Sequence, residues 1–406
     1  MEGLNSLLGI DKSIFESWEE KIMKRIDKKR HSKTSNKFMP SLKKNGIKIT
    51  AIAAVFLLLL VLIPYIKKLI GFSPKGSYET PEIVSEKSNY TAKDFFTMKS
   101  DLYKKFDGGF ENGGEEKYVE FIKGNRIQIK NYNGGAIVSS VYEVSNDEVK
   151  CVYRSAGEDE RVDYTDKNNE KPDVLIKGPI VKGTQWTDYN GNKRYISGVD
   201  VKVKTHAGEY NALEITTESP SNDGMYKSID YYVKDLGFVK NVYISPKEEQ
   251  LFETTLAKVE ENKVYVQDIK VYYPEFLNER IVYKTYHLEL KTNTDISKFF
   301  EECLKNSPKE GISAVMGKDA KINKITFDNV SRSVKVDLSP EFVTELNSGA
   351  ALESMKLDSL ANTFGSYYGS NKVYLTIDGK PYASGHIALK PEEFLEPKLD
   401  KAVELK

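Results

Sequence analysis

The sequence predicts an α+β protein in which a single transmembrane helix is followed by an antiparallel curved β-sheet of half-barrel type and then by a small α/β sandwich. Three observations carry this. The run Ile49 to Ile66 holds eighteen residues without a charge, near the lower end of the ~17–25 that cross a hydrocarbon core as helix. Farther on, the hydrophobic period changes to two, in ten short β-branched and aromatic runs separated by turn signals. From Val264 the order becomes strand, strand, helix, strand, strand, helix, strand, strand.

Residues 1–48 form a basic tail with 12 Lys/Arg against 6 Asp/Glu, so the zero net charge of the chain divides into +6 here and −6 beyond. Ser13 and Glu16 make a capping-box pattern, and Ile14, Trp18, Ile22 and Ile26 follow at helical spacing. Trp18 suits contact with the membrane surface or with a partner; equally, so short a helix is marginal in isolation. Residues 31–47, rich in Lys, Ser and Asn, read as a solvated linker. The transmembrane span covers 49–66. Lys43, Lys44 and Lys48 precede it and place the N-terminus in the cytoplasm, with Lys67 and Lys68 opposing weakly. Nearly fifty residues lie before the apolar core and PYIKKLIGF follows it, which is the pattern of an uncleaved signal anchor rather than of a cleaved signal. The expected location is therefore the cell membrane, single-pass, with the C-terminal domains extracytoplasmic.

Residues 67–89, punctuated by Pro74, Gly76 and Pro81, read as a stalk. The first outer domain spans 90–262. Its opening stretch, Thr91 to Phe106, carries Phe95, Phe96, Leu102, Tyr103 and Phe106 at roughly helical spacing and is predicted as a helix. Then come KYVEFI, RIQIKNY, AIVSSVYEV, EVKCVYR, RVDYT, VDVKVKT, ALEITTE, SIDYYV, FVKNVYI and LFETTLAKV, a meandering antiparallel sheet curved around that helix. Gly183 to Trp186, then Thr205 to Ile215, then Asp230 to Lys240 keep a cadence of G-x-x-W, a-G-x-y-x-A-x-x-I and YY-x-x-x-x-G-x-V-K. This stretch resembles the curved half-barrel domains of bacterial envelope proteins, including lipoprotein-handling ones. Some of these hold acyl chains, so the resemblance implies lipid as an alternative ligand. The plainer reading is that these residues fill a core, with Gly208 and Gly237 permitting turns or close backbone approach.

The second outer domain spans 264–395, leaving 396–406 as a tail. Val264 to Pro274 and Ile281 to Leu290 are strands, and a helix from Asp295 to Lys305 carries Ile296, Phe299, Phe300, Cys303 and Leu304 on one stripe. KINKITFDN and RSVKVDLS pair next, turning at Asp328 and Asn329. Ser339, Pro340 and Glu341 read as N-cap, first helical proline and early acidic residue. A helix from Ala350 to about Phe364 precedes a closing hairpin that turns at Asp378 and Gly379. Together these form one sheet with helices on one face. The V-x-V-D-L-S-x-x-F segment, Val334 to Phe342, and the V-x-x-x-I-D-G ending, Val373 to Gly379, resemble the GerMN domain of sporulation and spore-germination proteins of endospore-forming bacteria. The resemblance marks Asp337, Ser339, Asp378 and Gly379 as signature residues of structural character. It implies a non-enzymatic envelope protein that acts through protein–protein assembly, by self-association or with envelope partners. The chain departs from the family at ANTFGSYYGSNKV, so an altered exit from the second helix is expected.

No catalytic motif emerges. GxSxG, GxxxxGK[ST], HExxH and CxxC patterns are missing from the 406 residues. Two cysteines, Cys151 and Cys303, exclude a disulfide framework, and with four histidines at unrelated spacings they give no zinc pattern. The expected cofactor and metal complement is none. The −6 outer part argues against nucleic acid.

Overall fold

The computed structural model describes residues 89–109, 113–157, 159–346 and 348–405. The Trp18 helix and the Ile49–Ile66 span lie outside the described residues. Among the described residues no helix is long and apolar enough to cross a membrane.

The chain enters through one 3-10 turn, Ala92–Phe95, with the Asp94 carboxylate accepting from both the amide and the hydroxyl of Thr91. The helix expected from Thr91 to Phe106 is not formed. Asp101 takes a left-handed backbone at φ 53°, and β1 (Tyr103–Gly108) follows directly. β1 pairs on both sides, and those two ladders outweigh a chance helical spacing of aromatics. After it come β2 (Glu115–Lys123), β3 (Arg126–Asn133), β4 (Ala136–Val144), β5 (Glu148–Gly157), β6 (Asp173–Lys177), β7 (Gln185–Thr187), β8 (Lys193–Thr205), β9 (Gly208–Ser221), β10 (Gly224–Val233), β11 (Gly237–Ile244) and β12 (Gln250–Glu260). Nine of the ten alternating runs are strands. The tenth, Arg161 to Thr165, is irregular backbone laid over the outside of the sheet.

The strand order is β6-β5-β4-β3-β2-β1-β12-β11-β10-β9-β8-β7. The chain thus starts in mid-sheet, meanders out to one edge, crosses to the other and returns. Only residues 178–184 join the two edge strands, a reach of at most about 25 Å, so the sheet has to curl. Its edges meet through side chains: the Trp186 indole donates to the Val174 carbonyl at 2.8 Å and Arg194 to Asp173 at 3.0 Å. This seam protects edges that would otherwise template further pairing. Val119, Ile127, Ile176, Ile196, Leu213, Ile215 and Tyr232 come from opposite halves of the sheet yet form one cluster with Phe95, which places them on the inner face. The expected helix inside the curve is replaced by that single Phe95 turn.

The second module contains β13 (Tyr265–Glu275), β14 (Arg280–Leu290), α1 (Ile296–Lys305), β15 (Ile322–Asp328), β16 (Ser333–Leu338), α2 (Glu341–Thr344), α3 (Ala350–Tyr368), β17 (Lys372–Ile377), β18 (Lys380–Pro381) and β19 (Val403–Glu404). Instead of one sheet there are two, β13-β14-β19 and β15-β16-β17-β18. The reason is α3. Leu357, Leu360, Ala361, Phe364 and Gly365 are all buried, so the helix needs cover on more than one side. It touches both sheets, and residues of both share one core with Phe300 and Phe364. The sequence ANTFGSYY does not disturb the helix exit: α3 runs through Tyr368 and stops at Gly369, left-handed at φ 56°.

The stretch expected as a tail is packed against the module through residues 396–405. Lys398 donates its amide to Asn362, and β19 pairs parallel with β14. Where this segment crosses α3, Pro397 lies so near Gly365 that a Cβ there would stand 2.1 Å from its Cγ, which is why glycine occupies that helical position.

Candidate functional site: the signature hairpin and the module junction

The four signature residues meet at one end of the four-stranded sheet. β16 and β17 run parallel with Asp337 opposite Thr376. Asp337 Oδ1 accepts from the Thr376 hydroxyl at 2.5 Å and the Gly379 amide at 2.7 Å. The Asn323 amide donates to both Asp337, at 3.2 Å, and Asp378, at 3.1 Å. Asp378 and Gly379 are consecutive left-handed residues, φ 45° and 77°, as a two-residue hairpin turn requires. Ser339, the residue after β16, lies at this same end on the β15 side. Its hydroxyl accepts from the Lys321 amide at 3.0 Å, while Pro340, not Ser339, occupies the position before α2. The side chain expected to cap a helix instead ties β15 to β16.

Burial raises the Asp337 pKa, but hydrogen bonds from Thr376, Gly379 and Asn323, with Lys335 nearby, outweigh it and hold the carboxyl below its usual range. An ionised acceptor surrounded by donors fixes a hairpin and provides no acid–base partner. Asp337→Ala is expected to cost about 1–3 kcal/mol at neutral pH. Because the folded pKa is depressed, that contribution is full above the unfolded value of about 3.9 and disappears as pH falls through the folded one. Denaturant stability curves of parent and variant should therefore converge below about pH 4; a constant gap would refute an ionic role.

The more extensive polar construction joins the two modules. The segment after β5 carries Asp159, Glu160 and Arg161. The Asp159 carboxylate accepts from the hydroxyls of Tyr132 on the sheet and Tyr265 on the second module, and its carbonyl accepts from Gln267. Arg161, 5% exposed, donates to the carbonyls of Glu120 (2.8 Å), Lys291 (2.7 Å) and Thr294 (3.1 Å), lies over the Phe121 ring, and gives its amide to the Tyr367 hydroxyl. Arg332 bridges Glu160 and the Tyr368 carbonyl. Beneath them Glu120 and Lys130 form a buried ion pair at 2.9 Å, with Gln128 and Ser139 also donating to Glu120 and Lys130 donating to the Glu160 carbonyl. Sheet and second module belong to one compact unit.

The inner face beyond the Phe95 cluster is charged. Lys117 pairs with Glu115 at 2.9 Å, Arg194 with Asp173, and Asn241 donates to Asp230 at 2.8 Å. Burial raises the Asp230 carboxyl, opposed by Arg194 and Asn241. Among the described residues Lys104 has only the Leu236 and Phe238 carbonyls as acceptors; burial, assisted by Lys117, pushes its pKa down from 10.5 to about 7. The sign follows from proton counts. Between those values the unfolded chain binds more protons, so the stability term is full above about 10.5, declines as pH falls, and is gone below about 7. Urea titrations from pH 7 to 10 should show a rise in stability that Lys104→Met lacks.

Cys151 and Cys303 are both free and buried. His206 lies by Asp107 and His287 by Asp268, both on the surface. No group of three His, Cys, Asp or Glu among the described residues is arranged to hold a metal. Sequence reading missed Arg161, Glu120, Lys130 and Lys104. No local signal was available: Glu120 and Lys130 stand at outward, polar positions of their strand runs, Arg161 lies in irregular backbone, and Lys104 falls in the stretch expected to be helix.

Residues 270–383 match the family model described as Germane, sporulation and spore germination, and form a Germane domain. Among solved structures, the tandem GerMN domains of the sporulation protein GerM from Bacillus subtilis are 17% identical, with 32% of this chain and 46% of that chain covered at a TM-score of 0.26. This chain thus spans about half the length of that structure. An exported protein of YmcC-like fold from Bacteroides fragilis is 11% identical, covering 42% of this chain and all of that one at 0.30. The Pseudomonas aeruginosa MucA/MucB complex is 7% identical, covering 58% and 68% at 0.23. None of these likenesses bears on function. No curated protein matches the chain.

Proposed function

With a Germane domain at residues 270–383 as premise, we propose that this is an envelope protein of sporulation or spore germination, anchored by Ile49–Ile66 with its modules outside the membrane, which works by binding other proteins rather than by catalysis. The observation that carries the reading is the junction. Arg161, Asp159 and Arg332 fasten the Germane domain to the curved sheet, so that the two present a fixed joint surface. Fixed geometry suits assembly, because little ordering cost remains to be met on binding. The signature residues fit the same view, since Asp337, Asp378 and Ser339 spend their polar atoms on neighbours within the domain.

Lipid carriage by the sheet, the alternative, has less support. The inner face is either filled by Phe95, Ile127 and Leu213 or lined by Lys117, Arg194, Asp173 and Asp230, and an acyl chain laid on paired ions would desolvate them. The test is to purify the full chain in detergent, measure its mass by sedimentation, and extract bound lipid. An oligomer, or a stoichiometric complex with another envelope protein, is expected. A lipid-loaded monomer would overturn the assembly reading. Deleting the gene should impair spore formation or germination while leaving vegetative growth unchanged; normal spores that germinate normally would overturn the assignment to that process.

A further inference from the structure

A cleft of about 450 Å³ opens at the start of α3, between Val343, Leu346, Ser348 and Gly349 on one side and Ser384, Gly385 and His386 on the other, with Glu353 in its wall. Glu353 is fully buried. Its Oε1 accepts from the Tyr382 hydroxyl at 2.8 Å and the Ser384 hydroxyl at 2.5 Å. Among the described residues its Oε2 has no protein partner, and neither has the Ser348 hydroxyl, although both atoms are buried. Two orphan polar atoms thus belong to the wall of one small cleft. A carboxylate oxygen left without a donor is costly in a buried setting, and such atoms call for an explanation. Lys356, one turn along α3, does not supply it: its ammonium donates to the Leu346 carbonyl at 3.2 Å and makes no bond to Glu353.

We propose that this cleft binds a primary alkylammonium group. An ammonium has three donors and no acceptor, so it matches an acceptor pair made of Glu353 Oε2 and Ser348 Oγ. Val343 and Leu346 line the approach and take the alkyl stem, in the way such stems lie along apolar surface. The volume is that of a small-ligand site. Two sources present this chemistry, a free amine and a lysine side chain. A neutral amide or alcohol of the same length lacks the charge that a buried carboxylate favours.

The test is saturation-transfer NMR on the full chain in neutral detergent micelles, with n-pentylammonium and Nα-acetyl-lysine methylamide as probes and 1-pentanol and the Nε-acetylated lysine derivative as neutral controls. Transfer to at least one amine and to neither control is expected, and which amine responds identifies the source. Glu353→Gln keeps the oxygen that accepts from Tyr382 and Ser384, so the fold is retained, yet it should weaken amine binding at least tenfold. Gly385→Phe, whose Cβ would meet no heavy atom within 4 Å, fills the cleft and should abolish the signal. Equal transfer to the neutral controls, an unchanged response in both variants, or no transfer to either amine up to about 20 mM would overturn the proposal.

Discussion

Arg161→Ala is expected to be the most destabilising single change at the module junction. The guanidinium meets the carbonyls of Glu120, Lys291 and Thr294, one on the sheet and two in the connection between β14 and α1. Removing it leaves buried acceptors unmet, each costing about 1–3 kcal/mol before water enters the gap. A net loss of about 3–5 kcal/mol follows, a large share of the ~5–15 kcal/mol by which domains are stable. Arg161→Lys should recover only part of it, because a single ammonium does not reproduce the planar fork that reaches separate carbonyls. Denaturant unfolding with separate tryptophan and tyrosine signals provides the check. Trp186 lies in the sheet, so in the parent both signals should change together. In the variant the modules should part into two transitions. A single transition shifted by less than about 1 kcal/mol would show that the junction is not what joins them.

Lys130→Met is the second large effect, and its sign is not that of its ion pair alone. Glu120 and Lys130 are each about 5% exposed or less. Removing one partner leaves a buried charge uncompensated, at about 3–5 kcal/mol. Gln128 and Ser139 still donate to Glu120 but cannot neutralise it. The double variant Glu120→Gln, Lys130→Met removes both charges and should recover most of the loss, since a buried pair contributes little net stability beyond its own desolvation. A double-mutant cycle measures this directly. If the double variant is as unstable as the single one, then Lys130 matters through its bond to the Glu160 carbonyl and not through charge.

These two residues also show where sequence reading stops. RIQIKNY and KYVEFI were legible as strands because alternation is a local property, and nine such runs formed as expected. That Lys130 and Glu120 face each other beneath a third segment was not legible, because partner choice depends on strand register and on what covers the outer face. Arg161 was assigned to a strand on the strength of RVDYT. Its alternation is the incidental pattern of a segment whose inward positions are bound to Gln128 and Thr294. The signature hairpin shows the opposite case. Asp378-Gly379 announced its turn because left-handed backbone at both positions is a demand on residue type.

The sequence by itself determined nine of the strands, their antiparallel meander, the Germane module and the lack of catalytic motifs, since these follow from periodicity, turn chemistry and short motifs read along the chain. Only the tertiary structure decided that the curved sheet closes on itself at Trp186 and Arg194, that α3 divides its module into two sheets, and that the last residues are part of the core assembly. The physical reason is common to all three. Each is settled by desolvation and hydrogen bonding between residues far apart in sequence, and these terms exceed the local preferences that a linear reading can see.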